Sequence, residues 1–408
     1  MSLVSTAPRL WVLNFVALVG TMGIMAFVAT VGPVVRLLGL ADWHAGLALT
    51  AGGVFWMLSA RRWGKLSDKV GRKRVLILSL AAYAVTYLVL AISVEAALAR
   101  PPAIALSLAL LVGTRALVGL FYAAVPTVTA ASVADQLPPG KRASAMAQLG
   151  TANAVGLVAG PMVAGWIALY DLRLALYAAA LMPLVALVLV LWKMAETKPT
   201  NPLSPSSAAA KPVIGFSDPR LRLPLVAVFV TMMAVAITQS TVGFLAIDRL
   251  ASSLSEGAKS AGYALTALGT GLILSQSVMM RIEWPPTRWL FMGAMLASAG
   301  FGAIALLSSP LPMYGAFALA GIGMGFVRPA VQALTADCVE AHEQGAAAGI
   351  VASMQGFSMI VGPLAGTLLY RVTPGAPYFL VMVLLSLLAL AVWRYHTLEV
   401  ANRCTGVI

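Results

Sequence analysis

The sequence predicts an all-α membrane protein in which twelve transmembrane helices form two pseudo-symmetric six-helix bundles. Three observations lead to this fold class: the apolar composition, the number of long apolar stretches and an internal repeat. Of the 408 residues, 60% are hydrophobic and only 10% are charged, whereas soluble domains are about 45–50% apolar and about 25% charged. Only a bilayer solvates such a chain, which excludes an ordinary soluble enzyme and a disordered segment.

Twelve stretches of the sequence are predicted to span the bilayer, because a transmembrane helix needs about 20 predominantly apolar residues. The first stretch is longer than the apolar core of a cleaved signal peptide, and no small-residue cleavage site closes it, so we expect it to remain as a helix. The predicted spans cover residues 10–35, 46–61, 75–95, 102–133, 143–168, 172–193, 223–247, 258–280, 289–308, 311–336, 344–370 and 376–396.

The basic residues predict the orientation of these spans. If the N-terminus is cytoplasmic, nineteen of the 27 Lys and Arg residues lie in cytoplasmic segments and six lie in outer segments. An excess of Lys and Arg marks the cytoplasmic side, so we expect both termini inside the cell. Separately, we expect the membrane to be a bacterial inner membrane. The net charge of +13 does not predict nucleic-acid binding, because the bases lie between apolar spans.

A polar segment divides the chain into two halves. Residues 200–207 read TNPLSPSS, which is rich in turn-forming residues. Six predicted spans precede this segment and six follow it. We therefore predict an N-terminal bundle over residues 1–194, a cytoplasmic linker over 195–222 and a C-terminal bundle over 223–408.

The two halves carry an internal repeat. Two halves related by duplication are one known architecture of secondary transporters, in which the bundles alternately open a central site to each side. A chance alignment of Gly-rich and Ala-rich helices is the alternative explanation. Three sets of residues share an offset of 202 positions without gaps: Gly119 with Gly321, Asp135 with Asp337, and Gly160-Pro161 with Gly362-Pro363.

The connection between the second and third spans combines glycines, one acid and several bases. Residues 64–74 read GKLSDKVGRKR. Gly71 permits a tight turn, and Asp68 can accept hydrogen bonds from a helix N-terminus or from an Arg of a neighbouring helix. Such a charged contact suits a cytoplasmic gate, whereas a topology signal alone would explain the bases but not the spacing of Gly, Asp and Gly.

This segment resembles the loop signature of the major facilitator superfamily, Gly-x-Leu-x-Asp-basic-x-Gly-Arg-basic. The twelve spans, the central linker and the duplication extend the resemblance over the whole chain, which implies the major facilitator fold. The corresponding connection in the second half, residues 281–288, lacks the pattern, so we expect the gate to be asymmetric. The resemblance implies that Asp68 and Arg72 are conformational-switch residues. Asp135, at the predicted cytoplasmic end of the fourth span, is a candidate partner of Arg72 or of a neighbouring base. The predicted gating residues are Gly64, Asp68, Gly71, Arg72 and Asp135.

Arg115 lies within the fourth span, where a charge is costly and usually marks a functional path. Arg115, Gly119 and Ala123 share one helix face and resemble the family's Arg-x-x-Gln-Gly-x-Gly-x-Ala motif, with Val118 and Phe121 as departures. The resemblance implies that Arg115 takes part in proton coupling. A buried Arg that holds the helix by bonding backbone carbonyls is the alternative.

The fifth span carries glycines at a spacing that allows helices to approach closely, together with a proline that removes a backbone hydrogen bond. The pattern resembles the antiporter motif of the superfamily, which is associated with export. Close helix packing alone is the alternative, since the C-terminal half also carries a Gly-Pro pair. The residues concerned are Gly156, Gly160, Pro161 and Gly165.

The resemblance implies a pore lined by the first, fourth, seventh and tenth spans. None of the 14 acids lies in the middle of a predicted span, whereas Arg115 and Arg328 lie inside spans. This favours an anionic or zwitterionic amphipathic substrate, although a neutral one is compatible. If protons drive transport, Asp248 and Asp135 are the nearest titratable candidates. The predicted substrate-binding residues are Asn14, Tyr122, Gln239, Arg328 and Gln332.

The sequence therefore predicts a secondary active exporter of a drug, a metabolite or a siderophore, with protons as the coupling ion, and an uptake permease is the alternative. Nucleotide-binding and hydrolase motifs do not occur, so we do not expect an enzyme. Two cysteines and three separated histidines predict no metal site and no cofactor. We expect a monomer in the lipid bilayer.

Overall fold

A computed structural model of the chain describes residues 10–100, 103–137, 139–194, 215–250, 253–340 and 343–404. Most of the predicted linker, residues 195–214, lies outside the described residues. The same is true of His342, one of the three separated histidines of the sequence.

The described residues form α-helices, one short 3₁₀ turn at Pro219–Leu221 and no strand. The described part of the chain contains thirteen α-helical segments. Because α4 and α5 are separated only by Ala123, we count them as one interrupted helix, which gives twelve helices and confirms the predicted fold class. The bounds are α1 (Leu10–Leu37), α2 (Trp43–Val70), α3 (Arg72–Ala99), α4 (Ile104–Tyr122), α5 (Ala124–Gln136), α6 (Pro139–Ile167), α7 (Leu172–Lys193), α8 (Arg222–Leu250), α9 (Leu254–Met279), α10 (Pro286–Leu306), α11 (Pro310–Asp337), α12 (Gln344–Tyr370) and α13 (Ala376–Cys404).

The interruption at Ala123 has a local cause. Pro126 has no N–H group to donate to the carbonyl of Tyr122, so one helical hydrogen bond is missing at this point. The Thr127 hydroxyl donates to the Ala123 carbonyl at 2.8 Å and satisfies one of the carbonyls in this turn. The predicted fourth span, 102–133, therefore corresponds to two helical segments rather than one continuous helix.

Ten helices in the described part of the chain are long and apolar enough to cross a membrane. The two that are not among them, α2 and α9, are equally long but more polar. In α2 the polarity comes from the charged residues of its last three turns, which belong to the segment predicted to be a connection. The structure continues α2 through this segment to Val70, and Gly71 alone separates α2 from α3 with a φ of 108°. Glycine adopts this conformation at little cost.

The chain divides into two compact units, Met1–Ser207 with Ser253–Gly262 and Ala208–Ser252 with Tyr263–Ile408. In the first unit, α1 packs along α6 and α7, α2 along α4, and α3 along α7. In the second unit, α8 packs along α12, and α10 packs along both α11 and α13.

Both units contain a close backbone contact at a glycine of the internal repeat. In the first unit, a Cβ atom added to Gly119 of α4 would lie 2.0 Å from the Gly52 carbonyl oxygen of α2. In the second unit, a Cβ atom added to Gly321 of α11 would lie 1.9 Å from the Leu268 carbonyl oxygen of α9. Real Cβ atoms do not approach an oxygen so closely, so these two helix pairs pack in this way only with glycine.

We predict that Gly119→Ala destabilises the protein by about 1–3 kcal/mol, because the added methyl group forces α2 and α4 apart. Gly113→Ala, on the same helix, is the matched control, since nothing lies within 4 Å of its Cβ position. It should leave stability unchanged or raise it by up to about 1 kcal/mol. Thermal unfolding of the purified variants in detergent measures both effects, and equal melting temperatures for the two variants would contradict the contact.

Candidate functional site

The Arg72 side chain joins three helix ends in the first unit. Arg72 is 4% exposed and begins α3. Its Nε lies 2.8 Å from Oδ2 of Asp135 in α5, and its Nη1 lies 2.7 Å from Oδ1 of Asp68 in α2. The Asp68 side chain is 52% exposed and that of Asp135 is 23% exposed, so the bond to Asp135 is the less solvated one. One guanidinium thus holds the ends of α2, α3 and α5 together at the side predicted to be cytoplasmic.

Ser67 completes this cluster, and the sequence analysis missed it. Its hydroxyl is buried, donates to the Gly64 carbonyl at 2.7 Å and accepts a hydrogen bond from Arg72. Ser67 precedes Asp68 within residues 64–74, the segment that resembles the loop signature. Its place in that segment is the signal from which its role could have been predicted. Gly64 itself has an ordinary packing environment, since a Cβ atom there would lie 3.4 Å from the nearest methyl group.

A chain of polar contacts runs between α1, α4 and α6 in the first unit. The Thr21 hydroxyl donates to Asn153 Oδ1 at 2.7 Å and lies 3.0 Å from the Tyr122 hydroxyl. Asn14 donates to Gln148 Oε1 at 3.5 Å. Asn14 and Tyr122 are predicted substrate residues, whereas Thr21, Gln148 and Asn153 were missed. The only signal in the sequence is that these three are polar residues within apolar helices.

Arg115 is buried in the core of the first unit, where it is 4% exposed. Its guanidinium carbon lies 4.3 Å from the centre of the Phe27 ring, and its Nε and Nη1 have no hydrogen-bond partner among the described residues. The neighbouring hydroxyls of Tyr83 and Tyr87 donate instead to carbonyls of α1. The alternative, an Arg that bonds backbone carbonyls, is therefore not supported for the Nε and Nη1 atoms of Arg115. A buried cation without a counter-charge is costly.

The glycines of the antiporter-like pattern bring α6 against α1. A Cβ atom at Gly156 would lie 2.5 Å from the Leu18 carbonyl oxygen, and one at Gly160 would lie 2.6 Å from that of Met22. Pro161 lies inside α6, which continues to Ile167.

The remaining glycine of the pattern and its C-terminal counterparts have the same function in packing. A Cβ atom at Gly165 would lie 2.6 Å from the carbonyl oxygen of Ala258, which belongs to the same compact unit. In the second unit, a Cβ atom added to Gly362 of α12 would lie 2.5 Å from the Ala236 Cβ of α8, and one added to Gly366 would lie 3.0 Å from the Ser240 Oγ of α8. Close helix packing is therefore common to both copies of the repeat.

The predicted substrate residues of the second unit lie on α8 and α11. Gln239 is half-buried on α8, whereas Arg328 and Gln332 are exposed on one face of α11. The side chain of Arg328 makes no hydrogen bond or ion pair within the described part of the chain, and it is not paired with Asp337 nine residues later. Its guanidinium can therefore receive an anion.

Asp248 lies at the end of α8 that is predicted to face outward. It is exposed, and its Oδ2 accepts a hydrogen bond of 2.7 Å from the hydroxyl of Tyr370, the last residue of α12. The carboxylate is thus both accessible to solvent and held between two helix ends.

A second charged cluster, which the sequence analysis did not predict, lies at the start of α8 in the second unit. Arg220 binds both oxygens of Glu343 at 2.9 and 3.1 Å and binds Asp218 Oδ2 at 2.9 Å. Glu343 Oε2 also accepts the backbone N–H of Glu340 at 3.0 Å. The cluster joins the end of the predicted linker to the segment before α12. The second half therefore also has a charged contact, but its residues do not correspond to those of the Arg72 cluster in the first half.

The hydrogen bonds from Arg220 hold the pKa of Asp218 below its usual value. A lowered pKa in the folded state means that the contribution of Asp218 is present at neutral pH and is lost only as the pH falls through that lowered value. Cys338 packs beside this cluster, against Leu221, Leu225 and Val339. Burial raises the pKa of the Cys338 thiol, which lowers its reactivity at neutral pH.

Comparison with known proteins gives consistent results. The model of the Major Facilitator Superfamily matches residues 10–310 and 229–403. The tetracycline resistance protein of class G from Vibrio anguillarum is 27% identical over 340 residues, which cover 82% of each chain. The multidrug resistance protein MdtG from Proteus mirabilis is 28% identical over 249 residues, covering 59% of this chain and 58% of MdtG. The solved structure of the nucleoside transporter NupG shares the fold, with a TM-score of 0.75, 12% identity and coverage of 94% of this chain and 99% of that one.

We predict that Asp135→Asn destabilises the first unit more than Asp68→Asn does. The Asp135 change leaves the buried Arg72 with a weaker partner and should cost about 1–3 kcal/mol. The Asp68 change removes a half-exposed partner and should cost at most about 1 kcal/mol. Thermal unfolding in detergent compares the two variants, and a larger loss for Asp68→Asn would contradict this order.

We also predict that Glu343→Gln raises the labelling rate of Cys338 by a maleimide about two- to fivefold, because the loss of one ionic partner loosens the segment around the thiol. A Cys404→Ser background makes Cys338 the sole cysteine. Arg222→Gln is the control, since Arg222 is exposed and its side chain makes no hydrogen bond or ion pair within the described residues. The pH is held constant because the thiolate is the reacting form, and an unchanged rate in Glu343→Gln would refute the prediction.

Proposed function

This chain belongs to the Major Facilitator Superfamily, and on that premise we propose that it exports small amphipathic organic molecules from the cell by alternating access. It is a multi-span membrane transporter and not an enzyme. We further propose that it works as a monomer in a bacterial inner membrane, with both termini in the cytoplasm, and that protons moving inward drive the export.

The observation that supports export is the function named for its relatives. The tetracycline resistance protein from Vibrio anguillarum aligns over 82% of both chains, which spans both halves of the repeat. The multidrug resistance protein from Proteus mirabilis aligns over more than half of each chain. A further relative, from Lactococcus lactis, is 24% identical over 81% of this chain and is named a multi-drug resistance efflux pump homolog. Efflux is outward transport, so these relatives favour export and give no support to the uptake alternative.

The gate that we propose is the Arg72 cluster. With its contacts formed, it holds the ends of α2, α3 and α5 at the side predicted to be cytoplasmic. Asp68 is half-exposed, so its bond to Arg72 is modest and can break and form again during a transport cycle, whereas the bond to Asp135 is the more buried of the two. Gly71 between α2 and α3 provides the hinge position.

The substrate class that we propose is anionic or zwitterionic, such as an acidic drug, a metabolite or a siderophore. Arg328 is exposed and has no partner among the described residues, and Arg115 has two nitrogens without hydrogen bonds. The acids of the described helices lie near helix ends, so a cation would find no counter-charge at membrane depth. Asn14, Tyr122, Gln239 and Gln332 add neutral hydrogen-bonding groups.

For proton coupling we propose Asp248 and Arg115. Asp248 is exposed at the outer end of α8, where it exchanges protons with water, and its hydrogen bond to Tyr370 links its protonation to the end of α12. Arg115 stays charged at any physiological pH. An uncompensated cation of this kind favours the state in which an anion or a deprotonated group lies nearby.

Inside-out membrane vesicles with a respiration-driven acidic interior test the proposal. We expect tetracycline, a zwitterion, or fluorescein, an anion, to accumulate in the vesicles, and a protonophore to abolish accumulation. Ethidium, a permanent cation, should not accumulate. Accumulation that requires an acidic exterior would indicate uptake instead of export, and accumulation of ethidium alone would refute the charge preference.

The same vesicles test Arg328. We predict that Arg328→Gln lowers the accumulation rate of the accepted anionic or zwitterionic probe about tenfold, because it removes one charge-assisted hydrogen bond. Arg281→Gln makes the same change of charge at another exposed Arg whose side chain has no hydrogen bond or ion pair within the described residues, and it should leave the rate unchanged. Equal losses in both variants would mean that Arg328 has no specific contact with the substrate.

A further inference from the structure

A groove of about 590 Å³ lies in the second unit, where α8, α10 and α12 end and α13 begins. By the predicted orientation this is the outer face of the membrane. The groove is not part of the gate or of the substrate residues described above. Its lining contains one charged side chain among mostly apolar ones: Arg249, Ala305, Leu306, Leu369, Thr373, Gly375, Ala376, Phe379, Leu380 and Val383.

The Arg249 guanidinium uses one nitrogen for the protein and leaves two others without a hydrogen bond. Its Nη1 lies 3.2, 3.0 and 2.9 Å from the carbonyl oxygens of Ile304, Ala305 and Leu307 at the end of α10. Helix-terminal carbonyls lack partners within their own helix, so this contact caps α10. Nε and Nη2 make no hydrogen bond within the described part of the chain, and Nη2 lies 3.2 Å from the Cβ position of Gly375 on the groove wall.

The apolar part of the lining is exposed to the surroundings of the helix bundle. Leu306 is 82% exposed and Phe379 is 55% exposed, and both lie on helices that are long and apolar enough to cross a membrane. In a bilayer such side chains contact acyl chains. The groove thus combines a hydrocarbon-facing wall with a fixed cation at the level where the helices end, which is the arrangement of a phospholipid from tail to headgroup.

We propose that this groove binds an anionic phospholipid of the outer leaflet. The phosphate accepts hydrogen bonds from Nε and Nη2 of Arg249, and one acyl chain lies along Leu306, Phe379 and Val383. The first turn of α13 borders the same space, and its partial positive charge adds to the attraction. The bound lipid bridges α10 and α13 and stabilises their packing. The inference rests on the groove and, for the choice of leaflet, on the predicted orientation; it does not depend on the proposed transport activity.

Native mass spectrometry of the full-length protein tests the site. Phosphatidylglycerol and phosphatidylcholine with identical acyl chains are added at equal concentration to the protein in detergent. We expect at least one phosphatidylglycerol to remain bound in preference to phosphatidylcholine. Equal retention of the two lipids, or displacement of phosphatidylglycerol by millimolar inorganic phosphate alone, would overturn the proposal.

Two variants assign the preference to this groove. Arg249→Gln should reduce the preference for phosphatidylglycerol about tenfold, the effect of losing a charge-assisted hydrogen bond. Arg371→Gln is the matched control at the same end of the unit, since Arg371 is exposed and lies outside the groove. Because Arg249 also caps α10, Leu380→Trp provides a second test that fills the groove and keeps the cap, and it should abolish retention of the lipid. Unchanged retention in Leu380→Trp, or an equal loss in Arg371→Gln, would overturn the proposal.

Discussion

Helices in a bilayer must pack against one another without a hydrophobic driving force, because lipid tails are as apolar as the side chains between helices. This constraint explains the glycine contacts of the protein. At Gly119 and Gly321, and again at Gly156 and Gly160, the backbones of two helices approach so closely that a Cβ atom would overlap a carbonyl oxygen. The resulting contact area replaces the hydrophobic effect, and the Arg72 cluster and the buried polar residues are positioned by helices that are held in this way.

The bilayer also destabilises charged side chains, so most of the few charges of the protein lie at helix ends or in specific contacts. In each unit one Arg gathers two carboxylates at the end that is predicted to be cytoplasmic, through Arg72 in the first and Arg220 in the second. The two clusters differ in sequence and in the helices that they join. The side chain of Arg72 is 5% exposed and that of Arg220 is 45% exposed, so the first contact is the stronger candidate for a discrete two-state gate.

Arg115 lowers the stability of the helix bundle in which it is buried. A buried guanidinium with two unpaired nitrogens destabilises the first unit, and the Phe27 ring compensates only in part. Destabilising features of this kind are concentrated at functional sites. The unpaired charge supports the roles in anion recognition and proton coupling that we propose for this part of the protein.

The sequence by itself determined the twelve helices and the repeat of two halves, because bilayer thickness fixes the length of an apolar span and duplication leaves matched glycines and prolines. It also named Asp135 as a partner of Arg72 or of a neighbouring base, because Asp135 lies at the end of the fourth span that is predicted to be cytoplasmic. The structure then pairs Asp135 with Arg72. Only the tertiary structure decided the contacts between distant helices. Thr21 meets Asn153 across 132 residues and Arg220 meets Glu343 across 123 residues. No local periodicity encodes such partners, because they depend on which helix faces the packing brings together.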